Sequence, residues 1–218
     1  MRAVIEQTGW LSELEAAEVL RLAQAWELVE NVAATGKFAG TLMSRHSWST
    51  YTESPGLADV VRNKVRDLIG DHDESVTVFN YMELHYPWDV HIDYTLHNVP
   101  RPENFPYYCL LIPLEDYDSR TIFFGELAKY NEFSTFKQTN EPVSNPVDIE
   151  FWENNLSHCW PQDREFLSLR YVSKSFKAGN VVAFRRDMPH SSDNFHLSGA
   201  GPKRFLQIYT STKKDHLV

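Results

Sequence analysis

The sequence predicts an α+β chain in which helices come first and a β-sandwich or jelly roll follows. Apolar residues recur twice at helical spacing before residue 74, and short stretches of alternating apolar and polar residues follow from residue 75. Helical and strand patterns do not alternate along the chain, as they would in a βαβ fold with a parallel sheet. This order predicts a β core with the N-terminal helices packed outside it.

Length, charge and cysteine content limit the classes of protein to be considered. The 218 residues suffice for a single domain, which we expect to span residues 1–218. A net charge of −9 argues against nucleic acid as a partner, because phosphate recognition needs a basic face. Cys109 and Cys159 form no disulfide framework, and no apolar run approaches the roughly 20 residues of a membrane span. We therefore expect a cytoplasmic protein without a signal peptide or membrane contact.

The first helix is predicted over residues 13–34. Ser12 and Glu15 form the pattern of a capping box, in which each side chain bonds the backbone N–H of the other. Apolar residues follow at mainly helical spacing, and Gly36 is a natural stop. We expect this helix to cover the outside of the β core.

A second helix is predicted to begin at Pro55 and to end at Gly70. Proline fits the first turn of a helix, and the residues that follow have one apolar and one charged face. Residues 45–51, between the two helices, are aromatic and polar, and they fit either a strand or a substrate-facing loop. Residues 1–74 are thus predicted to be a mainly helical cover.

Two stretches, residues 75–128 and residues 169–212, carry the strand patterns of the predicted core. The predicted strands lie at residues 76–85, 90–94, 107–113, 121–124, 169–176, 181–185 and 204–211. Residues 129–168 between them contain several prolines and aromatic residues, with a short helical pattern at residues 147–156. Because a segment of this length between strands is usually functional or disordered, and its aromatic residues favour order, we expect an insert that acts as a lid over the site.

The pair His91 and Asp93 predicts a metal site. Residues two apart on a strand point to the same face, with Cα atoms about 6.5–7 Å apart, so both side chains can close on one ion. Together with one more distant histidine, an imidazole and a carboxylate form the facial triad of non-heme Fe(II) oxygenases.

Residues 81–211 resemble the 2-oxoglutarate/Fe(II)-dependent dioxygenases. Four marks occur in the order and spacing of that family. They are His91-x-Asp93 at the end of a strand, a strand–turn–strand pattern at residues 176–184, His190 a few residues later, and Arg204 at the start of the last strand. The resemblance implies a double-stranded β-helix, a jelly-roll or cupin-like fold.

The resemblance also implies a site and a reaction. Fe(II) would be held by His91, Asp93 and His190, while Arg204 would pair with the far carboxylate of 2-oxoglutarate. Tyr81 would help to hold the cosubstrate, with its neighbour Asn80 as the alternative, because the strand alternation is ambiguous there. Such enzymes hydroxylate a substrate and release succinate and CO2. The presence of Asp93 disfavours halogenation, because the related halogenases lack this carboxylate. The substrate would be a small molecule or a peptide, which the sequence does not name.

The last strand departs from the family pattern, which often has Arg-x-Ser where this chain has Arg204-Phe205-Leu206. Lys203 competes with Arg204, and strand alternation allows only one of the two to point inward. We favour Arg204, because its planar fork matches a carboxylate.

Two other functions stay open at the level of sequence. A cupin-type metal enzyme that does not use 2-oxoglutarate would need no cation on the last strand. A non-catalytic jelly roll that binds sugar or peptide would need no metal ligands. Among other histidines, His196 is the nearest competitor of His190, and His158-Cys159 lacks partners at the spacing of a zinc site.

Overall fold

The computed structural model describes residues 4–34, 37–91, 93, 108–125, 142–174, 176–186, 188–199 and 201–212. The helices within them are α1 Glu13–Ala23, α2 Pro55–Ile69 and α3 Ile149–Asn155. The strands are β1 Val4–Gln7, β2 Val29–Val32, β3 Leu42–Thr50, β4 Val78–Leu84, β5 Tyr108–Pro113, β6 Thr121–Phe124, β7 Leu169–Val172, β8 Val181–Arg185, β9 His190–Ser192 and β10 Lys203–Thr210.

The strands form two antiparallel sheets. The larger sheet has the order β1-β8-β5-β10-β4-β3-β2, and the smaller has the order β7-β6-β9. The chain passes from β5 to β6, from β7 to β8, and from β9 to β10 by changing sheets each time. This alternation between two packed sheets is the jelly-roll arrangement, so the predicted class of the β core is confirmed.

One face of the larger sheet shares a hydrophobic cluster with helices. Phe79 and Tyr81 of β4 and Leu206 and Ile208 of β10 belong to this cluster. Its members from α1 and α2 are Ala16, Val19, Ala23, Leu57, Ala58, Val61, Val65 and Ile69. Each large apolar side chain buried in such a layer contributes about 1.5–3 kcal/mol, so the cluster fixes which face of the sheet is closed.

The other face of the larger sheet looks toward the smaller one. Leu84 of β4 and Phe205 and Tyr209 of β10 belong to a second cluster, which includes Phe123 of β6. Residues that alternate along β4 and β10 therefore separate cleanly into a helix-facing set and an inter-sheet set. The candidate site lies in this second layer.

The first helix is shorter than the sequence predicts. The capping box is present, with Glu15 N donating to Ser12 Oγ at 3.2 Å and Ser12 N donating to Glu15 Oε2 at 2.7 Å. The helix nevertheless ends at Ala23, and the prediction of a helix to residue 34 is wrong. Val29 and its successors instead pair with β3, because the sheet edge offers backbone hydrogen bonds to a segment that begins and ends with a β-branched valine.

The second helix matches its prediction, from Pro55 at its start to the stop at Gly70, which has a φ of 94°. Residues 45–51, left open above, belong mainly to strand β3, which ends at Thr50. The predicted strand at residues 90–94 is represented, within the described residues, by a single bridge from His91 to His190. The short strands β1, β2 and β9 were not predicted, because segments of three or four residues are too short for a periodic signal.

The described part of the predicted insert begins at residue 142 and packs beside the smaller sheet. Trp152 and Leu156, in and just after α3, share a cluster with Ile122 and Phe124 of β6. Phe123, between these two β6 residues, faces the larger sheet, so this part of the insert covers the opposite face of the smaller sheet. Residues 129–141 lie outside the described residues, and the lid remains a prediction.

Both cysteines are buried and unpaired. No helix in the described part of the chain has the length and apolar character that crossing a membrane demands.

The turn before β8 requires a glycine. Gly179 has a φ of +77°, its N–H donates to Pro113 O at 3.0 Å, and its carbonyl accepts from Leu11 N at 2.7 Å. A Cβ at this position would overlap the carbonyl oxygen of Leu11. The turn thus ties β5 and the segment before α1 together through a close backbone approach.

We expect Gly179→Ala to lower the free energy of unfolding by about 3 kcal/mol, because it adds a steric overlap to the cost of a left-handed backbone. Gly40→Ala is the matched control, since Gly40 has a φ of +80° but open space around it. That control should lose only about 1 kcal/mol in urea denaturation. Equal losses in the two variants would contradict the role of the close approach.

Candidate metal centre

His91 and His190 are held side by side by the backbone. The N–H of each donates to the carbonyl of the other at 2.9 Å, in an isolated antiparallel bridge. Their rings lie 4.4 Å apart between centroids. A histidine that lies about 100 residues away in sequence is therefore the direct neighbour of the His-x-Asp pair.

Both imidazoles are oriented in the same way. His91 Nδ1 lies 2.7 Å from Asp89 O, and His190 Nδ1 lies 2.9 Å from Met188 O. A carbonyl only accepts, so Nδ1 carries a proton in each ring, and Nε2 is the nitrogen that each ring turns toward Asp93. Burial, followed by the neighbouring His190, lowers the pKa of His91 to about 4, so this ring is neutral at physiological pH. A neutral ring with a free Nε2 is ready to ligate a metal.

Asp93 completes the group of three. Its Oδ1 lies 3.7 Å from Nε2 of His91 and 3.7 Å from Nε2 of His190. Its Oδ2 is buried without a hydrogen-bond partner among the described residues. An unpartnered buried carboxylate oxygen is costly, and a cation between the three side chains would remove that cost.

The spacing of the three ligand atoms fits one ion. All of them lie within 4.8 Å of one another. Two ligands that are each about 2.1 Å from a metal can lie up to about 4.2 Å apart, so the observed 3.7 Å distances are compatible with a shared ion. Two imidazoles and one carboxylate are the donor set of a non-heme iron site.

Neutral groups and one cation surround Asp93. Arg186 Nη2 donates to the backbone carbonyl of Asp93 at 2.6 Å, and its guanidinium lies 4.1 Å from the centroid of the Tyr209 ring. Burial, with a further contribution from Asp93, raises the pKa of Tyr209 and of Cys109. The phenol and the thiol stay protonated, so neither competes with the three ligands as an anion.

A cavity between the two sheets extends from these ligands. Most of its other described lining comes from alternate residues of β3, β4 and β10, together with Trp88 and parts of the smaller sheet. This lining consists of Asn31, Ser44, His46, Trp48, Asn80, Met82, Leu84, Trp88, Leu111, Thr121, Phe176, Ser192, Lys203, Phe205, Gln207 and Tyr209. The cavity therefore combines a metal-binding group, apolar walls and one cationic side chain from its described strands.

Lys203 is that cation, and it is only 1 % exposed. Its Nζ donates to Ser119 Oγ at 2.9 Å and to Ser192 Oγ at 3.3 Å, and it lies 4.5 Å and 4.3 Å from the ring centroids of Phe176 and Phe195. Burial lowers the pKa of Lys203 to about 8. The ammonium is thus charged at physiological pH in a largely apolar pocket, where an anionic ligand would stabilise it.

Arg204 points away from the cavity, in contrast to the sequence-based expectation. Its Nε donates to Glu83 at 3.1 Å and its Nη1 donates to Glu115 at 2.9 Å, and the side chain is partly exposed. Tyr81 also lies on the helix-facing side, where its hydroxyl donates to Glu83 at 3.2 Å. Alternation brings the neighbours Lys203 and Asn80 into the cavity instead.

Asn80, the alternative to Tyr81, lies in the cavity wall, whereas sequence reasoning missed Gln207 and Trp48. The side-chain amides of Asn80 and Gln207 hydrogen-bond to each other at 2.7 Å across β4 and β10. Trp48 is 52 % exposed and stacks on Tyr209 with 5.7 Å between ring centroids. The alternation of Ser44, His46 and Trp48 along β3 is the signal that could have found this wall, once residues 45–51 were known to form a strand.

The other histidines that the structure describes do not join the ligands. His196 lies in the short turn Phe195–Ser198. His158 is buried and bonded to Asn194 and Ser191. Within the described residues, His91, Asp93 and His190 form the one cluster with the geometry of a metal site.

Comparison with known proteins adds information about the fold. The sequence matches no protein-family model and no curated protein. Solved structures with the same fold include the epimerase SnoN from nogalamycin biosynthesis, in complex with Fe3+, alpha-ketoglutarate and nogalamycin RO. It is 13 % identical with a TM-score of 0.56, over 96 % of this chain and 79 % of SnoN.

Two further structures extend the comparison. A prolyl-4-hydroxylase from Pseudomonas putida is 13 % identical, with a TM-score of 0.51 over 97 % of this chain and 93 % of that protein. HygX from Streptomyces hygroscopicus, with nickel and 2-oxoglutarate bound, is 13 % identical, with a TM-score of 0.52 over 97 % of this chain and 83 % of HygX. At these identities the likeness establishes a shared fold.

We expect Co2+ to stabilise the wild-type protein and to lose this effect in Asp93→Asn, which removes the carboxylate charge between the two imidazoles. At about 100 times its dissociation constant, a ligand adds about 2.7 kcal/mol to the free energy of unfolding, which a thermal melt detects. Asp163→Asn is the control, because it neutralises a half-buried carboxylate outside the ligand set and should keep the shift. An unchanged Co2+ shift in Asp93→Asn would contradict the assigned ligand.

Proposed function

We propose that this protein is an Fe(II)- and 2-oxoglutarate-dependent oxygenase that hydroxylates a small molecule or peptide. The observation that carries the proposal is the presence, in one cavity, of a two-histidine-one-carboxylate cluster and a buried, charged lysine. The metal cluster alone would suit many enzymes, and the lysine alone would suit many anions. Their combination suits a cosubstrate that chelates a metal at one end and carries a carboxylate at the other.

The chain's own residues hold the metal in this proposal. His91, Asp93 and His190 would supply three ligands on one side of the ion, which leaves positions open for cosubstrate and oxygen. Iron, when bound there, supplies the activation of dioxygen and the oxidative decarboxylation of 2-oxoglutarate to succinate and CO2. The hydrogen bonds to Asp89 O and Met188 O hold both rings in the ligating tautomer.

Lys203, rather than Arg204, is the proposed partner of the far carboxylate of 2-oxoglutarate. Lowering its pKa from 10.5 to about 8 corresponds to a cost of roughly 3 kcal/mol for keeping the charge at pH 7, since one pKa unit equals about 1.4 kcal/mol. A carboxylate would offset that cost, and Ser192 adds a hydroxyl group beside it, whereas the hydroxyl of Ser119 donates to Asp193. Phe176 and Phe195 keep water away from the pair.

The lysine is also the observation that favours this function over a metal enzyme of the same fold without 2-oxoglutarate. Such an enzyme has no use for a buried ammonium in its cavity, and Asp193, which Lys203 reaches through the hydroxyl of Ser119, does not remove the whole cost of burying this charge, since the pKa of Lys203 is still lowered to about 8. Solved structures of the same fold that contain 2-oxoglutarate and a metal support the same choice.

Hydroxylation is the proposed outcome of the reaction. Prolyl-4-hydroxylase has this fold, whereas SnoN is described as an epimerase, so the fold accommodates more than one outcome. Asp93 retains the carboxylate of the triad, which disfavours halogenation. The substrate would approach past the exposed ring of Trp48, which lines the cavity together with His46 and Met82.

The rest of the chain has supporting roles in this proposal. α1 and α2 cover the outer face of the larger sheet and keep its strands in register from outside. Residues 129–168 would provide a wall or lid for the cavity in this proposal, with their described part packed on the outer face of the smaller sheet. The whole chain would act as a single domain in the cytoplasm.

We expect Lys203→Met to lose most of the stabilisation that 2-oxoglutarate gives to the wild-type protein loaded with Co2+. That stabilisation is about 2.7 kcal/mol at 100 times the dissociation constant and is measured in a thermal melt.

Arg204→Ala is the matched control for Lys203→Met. It should lower basal stability by breaking ion pairs with Glu83 and Glu115, yet keep the response to 2-oxoglutarate. If Arg204→Ala loses the response while Lys203→Met keeps it, the cosubstrate is held on the other face of β10.

The affinity for 2-oxoglutarate should fall as the pH rises above about 8, because only the protonated form of Lys203 attracts a carboxylate. Burial lowers the pKa of Lys203 to about 8, so below pH 8 the side chain is protonated and attracts the carboxylate fully. Above pH 8 the affinity for 2-oxoglutarate falls, and it levels off when the pH exceeds the higher pKa that Lys203 has in the complex. Calorimetric titrations of the Co2+-loaded protein between about pH 6.5 and 9.5 measure this. Lys203→Arg should bind with little change over this range, and an equal fall in that variant would assign the titration to another group.

Release of succinate tests the function itself. We expect the wild-type protein with Fe(II), 2-oxoglutarate and oxygen to form succinate, which is the product of 2-oxoglutarate decarboxylation in the proposed reaction. His190→Ala and Lys203→Met should form little or none in the same chromatographic assay. A wild-type protein that binds metal but neither binds nor consumes 2-oxoglutarate would instead be the metal enzyme of the alternative function.

A further inference from the structure

A hydrogen-bonded chain runs from the ammonium of Lys203 to a carboxylate on the far side of Ser119. Lys203 Nζ donates to Ser119 Oγ at 2.9 Å, and this hydroxyl donates in turn to Asp193 Oδ1 at 2.7 Å. Lys203 and Ser119 are each only 1 % exposed, whereas Asp193 is partly buried. The lysine of the candidate site therefore has a counter-charge that reaches it through a hydroxyl group.

The direction of each bond in this chain follows from its members. An ammonium only donates and a carboxylate only accepts, so the one proton of the Ser119 hydroxyl points to Asp193 and a lone pair points to Lys203. The second oxygen of Asp193 accepts from the backbone N–H of Arg120 at 2.8 Å. Both oxygens of Asp193 thus act as acceptors, which is the pattern of an ionised carboxylate.

The ammonium of Lys203 keeps one N–H for a ligand. Of its three donors, one meets Ser119 and another meets Ser192 at 3.3 Å within the part of the chain that the structure describes. The rings of Phe176 and Phe195 lie against it, with their centroids 4.5 Å and 4.3 Å away. Because Lys203 lines the cavity, the remaining donor can bind a carboxylate there.

Asp193 stabilises the ammonium without neutralising it. Burial lowers the pKa of Lys203 to about 8, and the charge of Asp193 acts in the opposite direction. A carboxylate in direct contact would form a closed ion pair and leave little attraction for a second anion, whereas the attraction weakens with distance. The hydroxyl between them therefore keeps Lys203 charged at neutral pH and still able to attract an anion.

Other charged or titratable side chains lie on the elements around Lys203. They are His46, His91, Asp93 and His190 in the cavity, Arg120 beside Ser119, His196 beside Phe195, Lys177 beside Phe176, and Arg204 on the opposite face of β10. Asp93 is the anion among them, and its Oδ1 lies 3.7 Å from both imidazoles of the candidate metal centre. Within the described residues, Asp193 is therefore the carboxylate whose hydrogen bonds lead to Lys203.

We propose that Asp193 is a positioning residue for 2-oxoglutarate, which acts through Ser119 to hold the ammonium of Lys203 charged and in the cavity. This inference rests on the proposed function, in which Lys203 binds the far carboxylate of the cosubstrate. Asp193 lies outside the described lining of the cavity. Its own charge would repel a carboxylate that came close, so its favourable effect on binding must pass through the lysine.

Asp193→Asn removes the charge and keeps the shape of the side chain. The amide can accept from Arg120 and donate to Ser119, which remains an acceptor for Lys203. Without the carboxylate, the pKa of Lys203 should fall by about one unit, so the affinity for 2-oxoglutarate should decline from a lower pH onward. Calorimetric titration of the Co2+-loaded proteins measures this. The ratio of the dissociation constants, variant over wild type, should be about one or less at pH 6 and about ten at pH 9.

The change of this ratio with pH separates the proposed role from a structural one. Chelation of cobalt by the cosubstrate also depends on pH, but equally in both proteins, so it cancels in the ratio. A loss of affinity by the same factor at pH 6 and at pH 9 would mean that Asp193 only supports the fold, and it would overturn the proposal.

Asp116→Asn is the matched control. Asp116 also accepts from a backbone N–H, that of Ala178 at 2.9 Å, and from a side-chain donor, Lys177 at 3.1 Å, but this pair lies at the surface. The variant should keep the wild-type affinity for 2-oxoglutarate at every pH. A fall of affinity with pH like that of Asp193→Asn would mean that the effect is not specific to Asp193, and it would also count against the proposal.

A second measurement needs neither metal nor cosubstrate. Lysine has a pKa of about 10.4 in an unfolded chain. Since the pKa of Lys203 is about 8 in the folded chain, the unfolded chain binds more protons between these two values, and stability rises with pH there. The difference between wild type and Lys203→Met in urea denaturation isolates this rise. It should begin at about pH 8 in the wild-type background and about one unit lower in the Asp193→Asn background.

The two measurements distinguish a failure of this inference from a failure of the proposed function. A wild-type protein that does not bind 2-oxoglutarate, although its stability curves behave as expected, would overturn the proposed function and the choice of 2-oxoglutarate as the anion. If wild type binds 2-oxoglutarate and the rise in stability begins at the same pH in both backgrounds, the function stands and the role of Asp193 is overturned.

Discussion

Each residue of β4 and β10 faces one of two very different environments, because successive side chains of a strand point to opposite sides of the sheet. On one side, Phe79 and Leu206 pack among the helices. On the other side, Asn80 and Lys203 enter the cavity between the sheets. A shift of one residue in the register of either strand would exchange these sets, placing polar groups in the apolar layer and apolar groups in the site. The fold and the chemistry thus depend on the same register.

The cavity contains two charged groups whose burial costs free energy in the folded chain. Asp93 has a buried oxygen without a partner among the described residues, and Lys203 keeps an ammonium between two phenyl rings. Neither arrangement stabilises the folded chain on its own. The two charges have opposite sign and do not pair with each other, which is the arrangement expected when each awaits a separate part of one bound assembly. The metal would satisfy the first and the anionic end of a cosubstrate the second.

The smaller sheet contributes rigidity to the site. His190 belongs to β9, and its neighbour Ser191 is bonded to His158 from the segment that covers the opposite face of the sheet. The described part of the insert therefore contacts the side chain of the residue that directly follows the candidate ligand His190. A change in the position of this segment would reach the metal ligands through a short chain of hydrogen bonds, which connects the packing of α3 to the chemistry of the site.

The sequence by itself determined the features that depend on neighbours along the chain. The capping box at Ser12, the start of α2 at Pro55 and the alternation of β4 all follow from local patterns. The His91–Asp93 pair could also be predicted, because residues i and i+2 of a strand point to the same face whatever the rest of the chain does. The left-handed turn at Gly179 belongs to the same class, since few other residues adopt its backbone conformation.

Tertiary structure decided everything that depends on which surface a residue meets. Val29 continued a helical pattern, but pairing with β3 made it part of a strand. Arg204 had the better chemistry for a carboxylate, yet Glu83 and Glu115 hold it on the helix-facing side, and Lys203 enters the cavity. Alternation along strand β10 defines two faces but does not determine which of them lines the cavity. The pairing of β10 with β4 and β5 determines it. The contact of His158 with Trp88 and Ser191 had no sequence signal, because it joins three distant segments.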